Sequence, residues 1–240
     1  MSKYKLVLFD KDGTLLKFDA VWLEIGYEIT EKFIHTFAAD IKQEELLALL
    51  GVKDNKIHAE GILSSGTTND IIRVFTKYTD EDVSNWTREQ MDALGQAYES
   101  KFEVIEGTED ILLEIKDAGY KLAVVTADDR LSTVSFLEKF NILDLFDDII
   151  TSDIAKYQKP NEKILDEIIE KYQLTSKEII MVGDTPIDMQ LAKNADLGLS
   201  IGVLSGTSKV SDLYNADIIL EDISKIIQNG RLIWEDDINA

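Results

Sequence analysis

The chain has 240 residues, enough for one large or two small domains with a buried core. It carries 46 acidic against 25 basic side chains, a net charge of -21, and 45% apolar residues, which argues against disorder and against a nucleic-acid backbone or an anionic membrane as partner. Cysteine is absent and His35 and His58 are the only histidines, which excludes disulfides, thiolate zinc, iron–sulfur clusters, a cysteine nucleophile and a multi-histidine metal site.

Lys5–Phe9 is a short apolar run closed by Asp10-Lys-Asp-Gly13, the pattern of a buried strand. Apolar residues then recur at Trp22, Ile25, Ile29, Phe33 and Phe37, the helical period. Asp40 is expected to cap a helix over Glu44–Leu50 that Gly51 ends, and Asn55–Thr68 reads as a loop or broken helix. Asp70–Tyr78 and Asp80–Phe102 read as helical, so residues 17–102 are expected to be an all-α segment. From Gly107 onward strands and helices alternate. A helix capped by Thr108 runs to Ala118, followed by a strand Lys121–Val125 and a helix from Arg130 to Phe140. Further strands are expected near Asp148–Thr151, at Ile179–Val182, Leu199–Leu204 and Asp217–Leu220, with helices over Pro160–Tyr172 and from Pro186. Glu235-Asp-Asp237 reads as a solvated acidic tail. Such alternation predicts an α/β fold: a Rossmann-like parallel sheet with helices on both faces, residues 1–16 and 103–240, interrupted after its first strand by the helical segment. No run approaches the roughly 18 apolar residues of a membrane span, and a cytoplasmic protein is expected.

Open parallel sheets bind ligands at the carboxyl ends of their strands. There the predicted strands place Asp10, Asp12, Gly13 and Thr14, then Thr126, then Lys159-Pro160, then Asp184 and Asp188. Several carboxylates in one crevice repel one another unless a cation sits among them. With oxygen donors alone, a hard ion is favoured, and Mg²⁺ is the usual choice. Each residue also has a plainer role: Asp12-Gly13 as a turn, Thr126 as a cap, Lys159 as a solvated lysine. For Asp188 that role is the third position of a helix that Thr185 caps and Pro186 opens. Joint placement at one edge of one sheet favours the chemical reading.

Phe9-Asp-Lys-Asp-Gly-Thr-Leu15, Val125-Thr126, Lys159-Pro160 and Val182-Gly-Asp-Thr-Pro-Ile-Asp188, in that order, resemble the four motifs of the haloacid dehalogenase superfamily. A helical cap inserted after the first motif fits its capped phosphatases. Gly183–Ala192 and Ile201–Gly206 resemble phosphoglycolate phosphatase-like members. The resemblance implies that Asp10 attacks phosphorus and becomes an aspartyl-phosphate, while Asp12 protonates the leaving oxygen and then deprotonates water. It implies Mg²⁺ held by Asp10, Asp12 through its backbone carbonyl, and Asp184, with Asp188 supporting the ion's water shell or orienting Lys159. Thr126, with the backbone around Ala127 and Gly13, would bind phosphoryl oxygens, and Lys159 would neutralise them. Lys53, Lys56 and His58, in the polar part of the cap, are candidates to reach the rest of a small phosphorylated metabolite.

The pattern departs from that family at Lys11, where an apolar residue is common, at Ala127, where an asparagine is common, at Lys17-Phe18, and at Glu106-Gly107, which lacks a preceding proline. Phosphoglycolate is the first substrate expectation. A pyrophosphatase or phosphomutase of the same fold, and a non-enzymatic phosphate-accepting module, remain as alternatives. Monomer and dimer are both open.

Overall fold

The computed structural model describes residues 3–18 and 20–235. In chain order, β1 (Leu6–Phe9) leads to α1 (Ala20–Phe37), α2 (Gln43–Leu49), β2 (Val52–Lys53), β3 (Lys56–Ile57), α3 (Ile62–Ser65), α4 (Thr68–Phe75) and α5 (Ser84–Tyr98). There follow α6 (Thr108–Asp117), β4 (Lys121–Val125), α7 (Arg130–Lys139), β5 (Asp148–Ile150), α8 (Asp166–Tyr172), β6 (Ile179–Gly183) and α9 (Pro186–Asn194). Last come β7 (Leu199–Val203), β8 (Ile218–Leu220), β9 (Ile227–Gln228) and β10 (Arg231–Leu232).

The main sheet has the order β5-β4-β1-β6-β7-β8, and every pair in it is parallel. β1 and β6 are buried along their whole length, as a parallel strand covered on both faces requires. Successive side chains of a strand point to opposite faces. Val7, Phe9, Leu122 and Val124 therefore pack with Ile111, Leu112 and Ile115 of α6 and with Phe136 of α7. Leu6, Leu8, Ala123 and Val125 pack on the other face with Ile168 of α8 and Leu191 of α9. The haloacid dehalogenase-type architecture expected above is thus present, with helices on both faces of one parallel sheet.

The segment between β1 and α6 has a separate apolar core. Val21, Ile25, Ile29 and Phe33, four residues apart, form the buried face of α1. Phe33 stacks on Phe75 of α4 at 4.1 Å between ring centroids. The chain leaves and rejoins the sheet side by side: Leu16 and Val104 form an antiparallel bridge, and the Lys17 and Ile105 N–H groups donate to Glu103 and Leu15 carbonyls at 2.9 Å.

Several local expectations are corrected. The inserted segment is not wholly helical, because Asp54 and Asn55 (φ 52° and 57°) turn β2 back onto β3. Two consecutive residues at positive φ are what a tight hairpin turn needs, and Asp and Asn tolerate them. Asp40 does not cap α2; Lys42 stands at that position in extended conformation with no side-chain cap bond. Thr108 lies inside α6, after Gly107 at φ 79°, and its hydroxyl donates to the Ile105 carbonyl. Asp80 lies before α5, which starts at Ser84, whose N–H is held by Asp82. The helix expected from Pro160 begins as a 3₁₀ turn, Glu162–Leu165, capped by the Asn161 side chain. The chain end adds the hairpin β9–β10, and Trp234 is buried edge-on to Tyr120. Glu235 is half-buried with Tyr120 Oη donating to it, and Asp236 and Asp237 of the expected tail lie outside the described residues. No described helix is long and apolar enough to cross a membrane.

Candidate active site

The carboxyl ends of two neighbouring strands, β1 and β6, converge. Asp10 follows β1, its N–H donating to the Val182 carbonyl of β6 at 2.9 Å. Asp184 follows β6. Thr185 and Asp188 then form a reciprocal cap that starts α9: Asp188 Oδ2 accepts from the Thr185 N–H (3.0 Å) and hydroxyl (2.6 Å). The other oxygen, Asp188 Oδ1, accepts from Lys159 Nζ at 2.7 Å, and the same ammonium lies 2.9 Å from Asp10 Oδ1. Both readings of Asp188 therefore hold at once, one for each oxygen.

Asp10, Asp184 and Asp188 are buried, and each offers an oxygen within 4.8 Å of the others. Burial, then the neighbouring Asp188, push Asp10 up to about 7 against the pull of Lys159. Burial, with Asp10 and Asp188 beside it, holds Asp184 well above the usual carboxylate range. Burial works against the charge on Lys159, but Asp10 and Asp188 outweigh it and keep the ammonium charged. One lysine does not neutralise three buried carboxylates, and the remaining all-oxygen set suits a hard divalent cation such as Mg²⁺. Asp184 is enclosed: it accepts weakly from the Thr207 N–H at 3.3 Å and Thr14 Oγ1 at 3.4 Å. A side chain at Gly206 would place its Cβ 1.7 Å from Asp184 Oδ2, and one at Gly13 2.4 Å from the same atom. Both oxygens of Asp188 are engaged by Lys159 and Thr185, whereas Lys159 reaches one oxygen of Asp10, and Asp184 has only the two weak donors above.

Asp12 sits beside Asp10 but faces a different partner. Lys11 Nζ, itself buried, lies 2.8 Å from Asp12 and 3.1 Å from Asp128, and Trp22 Nε1 donates to Asp12 at 3.2 Å. Burial raises the Asp12 carboxyl, and Lys11 opposes the rise. Lys11 is held charged by Asp12 and Asp128 against the cost of burial. This arrangement explains why a charged residue is tolerated where an apolar one is common. Thr126 Oγ1 accepts from the Asp128 N–H at 3.1 Å, leaving its own proton to donate. Gly13 departs from its expected role. Its N–H donates to the Leu16 carbonyl at 2.7 Å, so it is not available to a phosphoryl oxygen.

These groups open into a cavity of about 50 Å³ between the sheet edge and the inserted segment. A water needs roughly 10–15 Å³ by this measure, so the cavity holds a few waters or one small ligand. Asp10, Asp12, Thr126, Ala127 and Lys159 line its floor. Trp22, Ile62, Ile71, Met91 and the stretch Ser64–Thr68 line its roof. Lys53, Lys56 and His58 do not line it; they are exposed on or just after the β2–β3 hairpin. The roof residues were not singled out from sequence. The available signal was the pair Gly61 and Gly66, which bracket α3; a Cβ at Gly66 would stand 2.8 Å from the Ile62 carbonyl oxygen.

Comparison with known proteins agrees with this fold. The pattern of the haloacid dehalogenase-like hydrolase family matches residues 7–200. The chain is 25% identical over 232 residues to pyrophosphatase PpaX of Bacillus mycoides (strain KBAB4), covering 94% of this chain and 96% of that one. It is 34% identical over 119 residues to a phosphoglycolate phosphatase of Vibrio cholerae serotype O1, covering 49% of this chain and 52% of that one. A crystal structure of a haloacid dehalogenase-like hydrolase from Bacteroides fragilis superposes with a TM-score of 0.72 at 21% identity, over 93% of this chain and 100% of that one. With the fold, the strand-end carboxylates and the match across most of its length in agreement, the chain belongs to the haloacid dehalogenase-like hydrolases.

Proposed function

We propose that this hydrolase is a Mg²⁺-dependent phosphatase that cleaves a small phosphomonoester through an aspartyl-phosphate on Asp10. The observation that carries this reading is the buried carboxylate set of Asp10, Asp184 and Asp188, with Lys159 Nζ 2.9 Å from Asp10, and with Asp10 and Lys159 reaching the floor of the cavity. Asp10 and Asp184, with the Asp12 carbonyl, would hold Mg²⁺, which supplies positive charge to the phosphoryl oxygens and lowers the pKa of Asp10.

Lys159 bears on Asp10 from one side and is fixed in place by Asp188. Thr126 donates its hydroxyl proton to a phosphoryl oxygen. An Asp10 oxygen forms a bond to phosphorus as the ester P–O bond breaks, and Asp12 passes its proton to the departing alcohol oxygen. Asp12, now ionised beside Lys11, takes a proton from water as that water attacks phosphorus. The Asp10–phosphorus bond breaks and orthophosphate leaves. A phosphate dianion against an aspartate brings like charges together. Each unit pair at ~4 Å and an effective dielectric of ~20 costs about 4 kcal/mol, which is why the lysine and a cation are needed together.

In the same reading, residues 17–102 are the cap and residues 1–16 with 103–240 the catalytic core. Support comes from the separate apolar core of the inserted segment and from its place over the cavity. The test is phosphate release from p-nitrophenyl phosphate with Mg²⁺, with chelator, and by Asp10→Asn. Turnover that needs Mg²⁺ and is lost in the variant is expected. Turnover untouched by either change overturns the mechanism.

A further inference from the structure

The roof of the cavity holds a chemical asymmetry that the motifs do not predict. Three of its four hydroxyl protons are already donated within the protein, and the fourth hydroxyl, on Ser64, shares a hydrogen bond in which either partner can donate. Ser65 Oγ donates to the Gly61 carbonyl (3.3 Å), Thr67 Oγ1 to Asp70 (2.7 Å) and Thr68 Oγ1 to Asp129 (3.0 Å), while Ser64 Oγ pairs with Thr207 Oγ1 (2.7 Å). Most of the backbone is committed as well. The Ser64, Ser65 and Gly66 N–H groups donate to carbonyls at the α3 turn, and the Thr67 N–H to Asp70 at 2.9 Å. The N-terminus of α4, which would otherwise favour an anion, already carries the Asp70 carboxylate. The indole N–H of Trp22 is held by Asp12. What the roof's side chains offer a ligand is therefore mainly oxygen lone pairs.

Charge points the same way. Among the described residues that line the cavity, Lys159 is the sole cation, and Asp10 and Asp188 hold it. Asp12 and Asp128 also line the cavity, and Lys11, whose charge they share, lies behind them. A phosphoryl group at Asp10 can draw on Lys159. A second anionic group at the far end of the substrate would meet hydroxyl acceptors and the carboxylates of Asp12 and Asp128, with no further cation among the described lining residues to receive it. A carboxylate or terminal phosphate accepts hydrogen bonds and has none to give, whereas an alcohol hydroxyl can donate to Ser65 Oγ or Thr68 Oγ1. Burying an unpaired anion costs far more than burying a paired hydroxyl.

We infer that the substrate is a phosphomonoester of an uncharged, hydroxyl-bearing alcohol, and that the roof rejects substrates whose leaving group carries a second negative charge. This rests on the phosphatase reading above, and it replaces phosphoglycolate as the substrate expectation. The roof's apolar side chains, Trp22, Ile62, Ile71 and Met91, would pack against the carbon skeleton of such an alcohol. The small cavity suits one of a few carbons.

The experiment compares kcat/KM for 2-hydroxyethyl phosphate and for phosphoglycolate, which differ in a hydroxymethyl against a carboxylate, with pyrophosphate as a third substrate. Hydrolysis of p-nitrophenyl phosphate is the reference. We expect 2-hydroxyethyl phosphate to be preferred by roughly tenfold or more over both anionic substrates. A Ser65→Lys substitution, which adds a cation to the roof, should narrow the ratio to phosphoglycolate. Equal or better turnover of phosphoglycolate or pyrophosphate overturns the inference and leaves the phosphatase reading standing. A ratio unmoved by Ser65→Lys overturns the assignment of selectivity to the roof. Failure to hydrolyse any of the four, the reference included, overturns the phosphatase reading and the inference with it.

Discussion

Lys159 Nζ lies 2.7 Å from Asp188 Oδ1, slightly nearer than its 2.9 Å to Asp10 Oδ1. The lysine that would neutralise the phosphoryl group is thus anchored by a residue that also starts a helix. Asp188→Asn keeps an oxygen for the Thr185 cap but removes the charge that holds the ammonium. We expect kcat for p-nitrophenyl phosphate to fall by roughly 10²-fold, the scale of a lost charge-positioning group. Asp188→Ala removes the cap too, and should cost a further ~1 kcal/mol in urea unfolding. Equal unfolding midpoints for the two variants would show that the cap contributes nothing.

Stability without a bound cation should fall as pH rises. Asp10 is raised from 3.8 to about 7 in the folded protein. Between those values the folded state binds more protons than the unfolded state, so unfolding free energy decreases with pH. The stabilisation is full below about 4 and is lost as pH passes through about 7. Thermal unfolding in chelator should therefore give a lower Tm at pH 8 than at pH 5, and added Mg²⁺ should raise Tm more at pH 8. A Tm increment from Mg²⁺ that is larger at pH 5 would contradict the buried cluster as its binding site.

Asp10→Asn should separate activity from stability. The substitution removes one of three clustered buried carboxylates while Lys159 keeps Asp188 as partner. Turnover should drop below detection, and Tm in chelator at pH 8 should equal or exceed that of the parent. A marked loss of Tm would mean that the Lys159–Asp10 pair stabilises the fold more than its crowding with Asp184 destabilises it.

Gly206 bears on the metal site without supplying a ligand. A Cβ there would collide with Asp184 Oδ2 at 1.7 Å. Gly206→Ala must displace either the loop or the carboxylate. We expect Mg²⁺ affinity, measured by calorimetry, to weaken by about 10–100-fold, as it does when the support of a ligand is lost. Unchanged affinity would show that Asp184 does not hold the ion.

Most of the floor of the site was legible in the sequence because Asp10 and Thr126 directly follow apolar runs, with Asp12 two residues on. Leu6–Phe9 and Ile179–Val182 can be placed as buried strands, and polar residues at their carboxyl ends must then share one edge. Asp188 was legible twice over, as a cap and as a partner of Lys159, since it has an oxygen for each. The roof was not legible, because Ser64 and Thr68 reach the cavity through packing between the inserted segment and the sheet, which no local spacing encodes. Lys53 and Lys56 were favoured for their charge, but Asp54 and Asn55 turn that stretch into an exposed hairpin. The terminal hairpin carried a readable signal in Asn229-Gly230, at φ 53° and 71°, the pair that a two-residue hairpin turn prefers.

The bridge between Leu16 and Val104 has a consequence for how the molecule can change. The two ends of the inserted segment are neighbours, so its removal or replacement leaves β1 and α6 joined by a short connection and the strand order intact. The segment is a cassette in this sense. Its contents can be exchanged, and the roof over Asp10 rewritten, while Lys159 and Thr185, which hold Asp10 and Asp188, stay in place; the Trp22 bond to Asp12 is the part of the floor that goes with the cassette.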